Sequence, residues 1–215
     1  MKSLIIVGPG KHFGKEIALR FSQEGFHVGL IGRDKSKLTL LKKSLSDKGV
    51  KCDFALADVI EVVKINEAIK CLYEKLPSIK CIVYNVKASF SIGDIKKNSN
   101  VLIKDLETNV VGAWNTIESI LHIVKKDFPV TLIVTGGGYK DNSDYKKLGL
   151  SVSKAALHNL VIAFGPLLME SNIFLKILVI DGLVREQGPI FPEDVAEQFW
   201  GVYNSSKDEF IFRHP

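Results

Sequence analysis

Apolar residues along the chain keep two alternating rhythms. Short, β-branched, nearly continuous apolar runs cover residues 3–8, 26–32, 50–58, 80–85, 129–136, 174–181 and 209–212, and they predict strands. Between them, apolar residues recur at helical spacing over 14–25, 34–49, 61–76, 101–127, 151–171 and 192–204. Strands apolar along their whole length, alternating with helices, predict a parallel sheet covered on both faces with right-handed crossovers. The boundaries carry their own chemistry. Asp34 is placed to cap a helix, Gly25 and Gly49 to end helices, and Pro192 followed by Glu193 and Asp194 to start one. Pro166 falls inside a helical pattern and predicts a kink. No linker, low-complexity tract or repeat interrupts the pattern, so residues 1–215 read as a single doubly wound α/β domain.

Composition narrows the picture. With 46% hydrophobic and 25% charged residues the chain has ordinary globular usage. The net charge of +5 comes from 29 basic against 24 acidic residues, with lysines in scattered pairs such as Lys42/Lys43 and Lys125/Lys126. Scattered pairs are solvated faces, which argues against nucleic acid as a partner. Three cysteines, Cys52, Cys71 and Cys81, form no C-x-x-C pair and leave an odd count, so neither a disulfide framework nor a metal site is expected. The opening apolar run is too short for a signal-peptide core, and no other run approaches membrane-spanning length. The expectation is a soluble cytoplasmic protein without a membrane partner.

The first strand leads into "VGPGKHFGKEIALRF", where Gly8, Gly10 and Gly14 allow a tight turn and bring backbone amides to a helix N-terminus. That arrangement favours phosphate, although a glycine-rich turn without a ligand reads the same way. Further along come "ADV" at residues 57–59, "YNVK" after the fourth strand, "LETNVVGAWN", "SVSKAAL" and "VIDGLV". In this order the motifs resemble those of the short-chain dehydrogenase/reductase family, over essentially the whole chain. The resemblance implies a Rossmann fold with one parallel seven-stranded sheet. It implies a nicotinamide dinucleotide held by Gly8, Gly10, Lys11, His12, Phe13 and Gly14. Asp58 and Val59 fall beside the adenine, and Asn85 lies on the cofactor side of the fourth strand. His12 replaces the pattern's middle glycine, so its side chain crowds the phosphates, hydrogen-bonds them or is simply tolerated. "NVK" departs from the family's N-A-G, placing Lys87 at a close-approach position.

The same resemblance bears on cofactor choice. An acid at the end of the second strand accepts from a ribose 2′-hydroxyl, whereas a 2′-phosphate needs a cation. Here the acid's position is Gly32, Arg33 follows it and Lys11 lies in the loop, so NADP(H) is expected over NAD(H).

Relatives reduce carbonyls or oxidise alcohols with Asn, Ser, Tyr and Lys. Asn109 and Lys154 match two of these; the tyrosine position is Leu150, four residues before Lys154, and the serine position counts to Gly137. Leucine cannot exchange a proton. Tyr139 and Tyr145 are nearby phenols that a rearranged loop could bring in. After the sixth strand, "IDGLVREQGPIFPEDV" has Asp181 where relatives have proline and reaches the last helix quickly, which implies a shortened substrate lid. Three functions stay open: an atypical NADP(H) oxidoreductase acting on a small carbonyl or alcohol, a catalytically silent NADP(H)-binding sensor or partner protein, and a scaffold without cofactor. The long helix and the Lys154 helix form interfaces in relatives, which implies a homodimer or homotetramer.

Overall fold

The computed structural model describes residues 1–10, 13–88, 99–124, 129–138, 141, 147–185 and 187–214. Seven strands form one all-parallel sheet: β1 (Lys2–Val7), β2 (Phe26–Gly32), β3 (Cys52–Leu56), β4 (Ile79–Tyr84), β5 (Val130–Thr135), β6 (Ile173–Ile180) and β7 (Ile211–His214), in the order β3-β2-β1-β4-β5-β6-β7. The helices between them are α1 (Phe13–Gln23), α2 (Lys35–Ser46), α3 (Val62–Lys75), α4 (Ser99–Leu106), α5 (Gly112–Ile123), α6 (Leu148–Met169) and α7 (Pro192–Asn204).

Period-two alternation sends neighbouring strand residues into two separate cores. Leu4, Ile6, Leu30, Val83 and Ile133 pack with Ile17 and Phe21 of α1, Leu41 of α2 and Phe199 of α7. Ile5, Val7, Ile82, Leu132 and Ile177 pack with Ile69 of α3, Ile117 of α5 and Val161 of α6. The helices thus cover both sheet faces, as the continuous apolar strands require. Asp34 caps α2 by accepting from the Lys37 amide, and Pro192 sits in the first turn of α7. The chain builds outward from β1 to β3 and then crosses back to lay β4 on the other side of β1. Ligands in open α/β sheets bind at that switch point, beyond the strands' carboxyl ends.

Two elements differ from the pattern reading. The long helix over 101–127 is interrupted by a π-helical turn, Glu107–Val111, where the Gly112 amide bonds to the Glu107 carbonyl five residues back. Helix α6 begins at Leu148, three residues early, and has Pro166 inside it. At 22 residues α6 is long and apolar enough by composition to cross a membrane, contrary to the expectation that no run approaches that length. Ser151, Ser153, Lys154 and His158 break its apolar runs in the sequence, whereas the helix as a whole is apolar on more than one side. One face lies on the sheet, and the other exposes Val152, Ile162 and Leu167.

Candidate functional site

The loop after β1 and the segment after β4 meet at the switch point. Gly8 adopts φ +72° and Gly10 φ +57°, backbone that suits glycine. A Cβ on Gly8 would lie 2.8 Å from Val86 Cγ2, so the turn presses against the segment after β4. A Cβ on Gly14 would lie 1.4 Å from the Pro9 carbonyl oxygen, which is how α1 starts so close beneath the loop. Asn85 fastens this turn. Its amide donates to the Val7 carbonyl at 2.8 Å, its Nδ2 donates to the Gly8 carbonyl at 3.0 Å, and its Oδ1 accepts from Thr135 Oγ1 at 3.0 Å. One side chain therefore ties β1, β4 and β5 together at the crevice.

At the outer end of the crevice, Arg33 is 76% exposed in its side chain and reaches Asp58 Oδ2 at 3.2 Å. Asp58 Oδ1 accepts from the Ile60 amide at 3.3 Å. An open concavity of about 420 Å³ beside them is lined by Arg33, Leu56, Ala57, Asp58, Glu61, Lys64 and Glu67. Gly32 has room: a Cβ there would make ordinary contact with Leu38, at 3.5 Å or more. Val59 is buried and turned toward Gly112, and its carbonyl accepts from Asn115 Nδ2 at 2.9 Å. Phe13 opens α1 with its ring edge-on to Phe199, 5.6 Å between centroids. Lys11 and His12 lie outside the described residues.

The inner end holds Asn109 and Lys154. Asn109 sits in the π turn, fully buried, with its Oδ1 accepting from the Ala88 amide at 2.9 Å. Its Nδ2 donates to the Ala88 carbonyl at 3.0 Å and to Ser153 Oγ at 2.9 Å. The side chain thus clips the segment after β4 to α6. Tyr84 supports the same turn by donating its hydroxyl to the Thr108 carbonyl at 2.7 Å, and burial pushes that phenol's pKa far up. Lys154 is 5% exposed and donates to the Thr135 carbonyl at 2.7 Å. Burial first, and the Lys87 charge second, hold its ammonium down at about 8 against an ordinary 10.5.

Leu150 is 1% exposed, a core residue of α6, and Gly137 presents no side chain beside Lys154. Tyr139 and Tyr145 lie outside the described residues. Sequence reasoning missed Thr135 as the partner of both Asn85 and Lys154, and missed Tyr84; neither carries a signal beyond its place at a strand's carboxyl end.

Residues 2–180 match the family described as short chain dehydrogenase. The chain belongs to that family. Among curated relatives, the uncharacterized oxidoreductase YhxC of Bacillus subtilis is 23% identical over 174 residues, 80% of this chain and 60% of that protein. The oxidoreductase UcpA of Escherichia coli is 23% identical over 209 residues, 92% of this chain and 78% of that protein. The chain therefore spans less than two thirds of the first relative's length. An alcohol dehydrogenase structure from Thermococcus sibiricus, complexed with 5-hydroxy-NADP, superposes with a TM-score of 0.83 at 20% identity, covering all of this chain and 95% of that one. Short-chain dehydrogenases bind nicotinamide cofactors, and the crevice between β1 and β4 has the shape that such binding needs. Its turn passes through two left-handed glycines, and a side chain at 8 or 14 would collide with the loop's own walls.

Between β6 and α7, Val184 and Ile190 form a bridge and the Arg185 amide donates to the Ile190 carbonyl at 3.1 Å. A Cβ on Gly138 would lie 2.0 Å from Asp181 Oδ1. The Asp181 carboxylate accepts from Arg213 Nη1 at 3.4 Å, and Asp141 accepts from the same nitrogen at 3.0 Å. Arg213 therefore ties β7 to the loops after β5 and β6.

Proposed function

We propose that this chain is an NADP(H)-dependent oxidoreductase of atypical active site, a single dinucleotide-binding domain acting on a small carbonyl or alcohol beneath a shortened lid. The observation that carries the cofactor choice is at the end of β2: Gly32 offers no carboxylate to a 2′-hydroxyl, and Arg33 stands exposed beside it. Gly8, Gly10, Phe13 and Gly14, with His12, hold the pyrophosphate, Lys11 joins Arg33 in favouring the 2′-phosphate, Asp58 and Val59 flank the adenine, and Asn85 keeps the turn in shape. Lys154 holds the nicotinamide ribose, and Asn109 keeps the inner wall in place. The bound nicotinamide supplies or accepts the hydride. Everything else is positioning by the chain's own residues, which counts for most where a reactive carbonyl is held at the right angle.

A second reading is favoured by one observation. Leu150 is buried and Gly137 bare, so neither the usual phenol nor the usual hydroxyl is supplied at those positions. On this reading the chain binds NADP(H) without turnover, as a sensor or partner protein. The exposed apolar face of α6, with Trp114, Val111 and Leu121 on the neighbouring helix and turn, supports assembly as a homodimer or homotetramer. The free cysteines suit a reducing cytoplasm.

The experiment is a thermal-shift comparison of NADPH with NADH, followed by NADPH consumption on a carbonyl panel. Ligand at a hundred times its Kd stabilises the native state by about 2.7 kcal/mol. Binding with turnover supports the oxidoreductase; binding without turnover on any carbonyl supports the silent reading; no shift with either nucleotide refutes both.

A further inference from the structure

Leu150 is packed into the core, and among the described residues the one neighbour that a Cβ on Gly137 would meet within 4 Å is Lys154 Cγ, at 3.9 Å. The lysine therefore lies against the bare position of Gly137. An ammonium has three N–H groups, of which one goes to the Thr135 carbonyl at 2.7 Å. Titratable and charged groups on the elements packed around it, among the described residues, are few. Lys87 follows β4, Tyr84 ends β4 with its hydroxyl on Thr108, Asp105 is buried on α4 against Gly149, and Asp181 ends β6 beside Arg213. Of these, Lys87 is the charge that acts on Lys154, and it disfavours the ammonium.

We propose that Lys154 is itself the proton donor of carbonyl reduction, standing in for the missing phenol. This rests on the oxidoreductase reading of the same site. As hydride adds to the carbonyl carbon, the C=O π bond opens, its electron pair moves to oxygen, and an N–H bond of the ammonium breaks to form O–H. The alcohol leaves, and the neutral amine regains a proton from solvent. A general acid works best when its pKa lies near the working pH, which an ordinary lysine does not meet and a desolvated one beside a second cation does. The donor form is the charged one. Reduction is therefore complete below the lysine's pKa and is lost as pH rises through about 8.

Four measurements on the protein test this, with 2,3-butanedione and ethyl acetoacetate as probes. Competitive acetylation of the lysines across a pH series, without nucleotide, reads the Lys154 amine directly. It should titrate near 8, and at higher pH in Lys87→Ala. Steady-state reduction should fall over the same range in the wild type, with the midpoint moved upward in Lys87→Ala. Lys154→Arg keeps a cation for the ribose but cannot release a proton near neutrality. It should lose at least about 100-fold in kcat while NADPH binding changes far less. Lys154→Ala should be rescued by added primary amines, in an order set by their basicity. NADPH binding without reduction of either probe, or Lys154→Arg keeping kcat and its pH profile, overturns the donor role while leaving cofactor binding intact. Absence of NADPH binding overturns both.

Discussion

Replacing Asn85 with leucine keeps the branched shape and heavy-atom count of the side chain and removes both polar groups that tie the glycine turn to the sheet. Two side-chain hydrogen bonds are lost, Nδ2 to the Gly8 carbonyl at 3.0 Å and Thr135 Oγ1 to Oδ1 at 3.0 Å. Each contributes about 1 kcal/mol net, and a partner left unmet in a half-buried crevice adds part of its desolvation cost. The sum is about 2–3 kcal/mol. For a chain of this size each kcal/mol lowers Tm by about 2–4 °C, so Asn85→Leu should melt about 4–12 °C lower. Because the turn then pays ordering entropy on binding, NADPH should also weaken by about tenfold or more. Calorimetric melting and a fluorescence titration check the two effects. Thr135→Val, which removes one of the bonds, should show less than half the loss. If Asn85→Leu melts within a degree or two of wild type and binds NADPH unchanged, Asn85 is not the fastening of the crevice.

Three further outcomes follow from the same geometry. Gly14→Ala forces a Cβ into the Pro9 carbonyl, so the loop must open; NADPH binding should be lost while urea unfolding shows a folded protein weakened by about 1–3 kcal/mol. Gly32→Asp fits beside Leu38 and places a carboxylate at the end of β2, where the proposed NADP(H) site would hold the 2′-phosphate. Unit charges 4 Å apart near a surface repel by about 4 kcal/mol before screening, so NADPH should weaken by about 100-fold and NADH should gain, read by titration with each nucleotide. Lys176, 1% exposed on β6, donates to the Val202, Ser205 and Ser206 carbonyls and to Ser205 Oγ, closing the carboxyl end of α7. Lys176→Met should cost about 2–4 kcal/mol in urea unfolding without changing nucleotide affinity.

The sheet was legible because its strands are apolar on both faces, a pattern that only a doubly covered parallel sheet explains. The predicted and observed strands overlap in all seven cases. Glycines were legible too, since Gly8, Gly10 and Gly14 are spaced for a turn that their φ values and contacts then show. What the pattern hid depends on which polar atoms meet. Periodicity cannot register an extra residue inside a helix, so the π turn that presents Asn109 to Ala88 was invisible in a continuous helical pattern. Lys176 carries no signal of its role within an apolar strand, because its four acceptors come from residues 202–206. The link from Lys154 through Thr135 to Asn85 joins α6, β5 and β4, and none of the three neighbours another in sequence.

The central claim is that the crevice between β1 and β4 takes NADP(H) in preference to NAD(H), and isothermal titration of the wild-type protein with each reduced nucleotide tests it most directly. The account predicts NADPH binding at least about tenfold tighter than NADH, a difference of about 1.4 kcal/mol or more from Arg33 and the missing acid at Gly32. Equal or tighter binding of NADH, or no heat with either nucleotide, would contradict it.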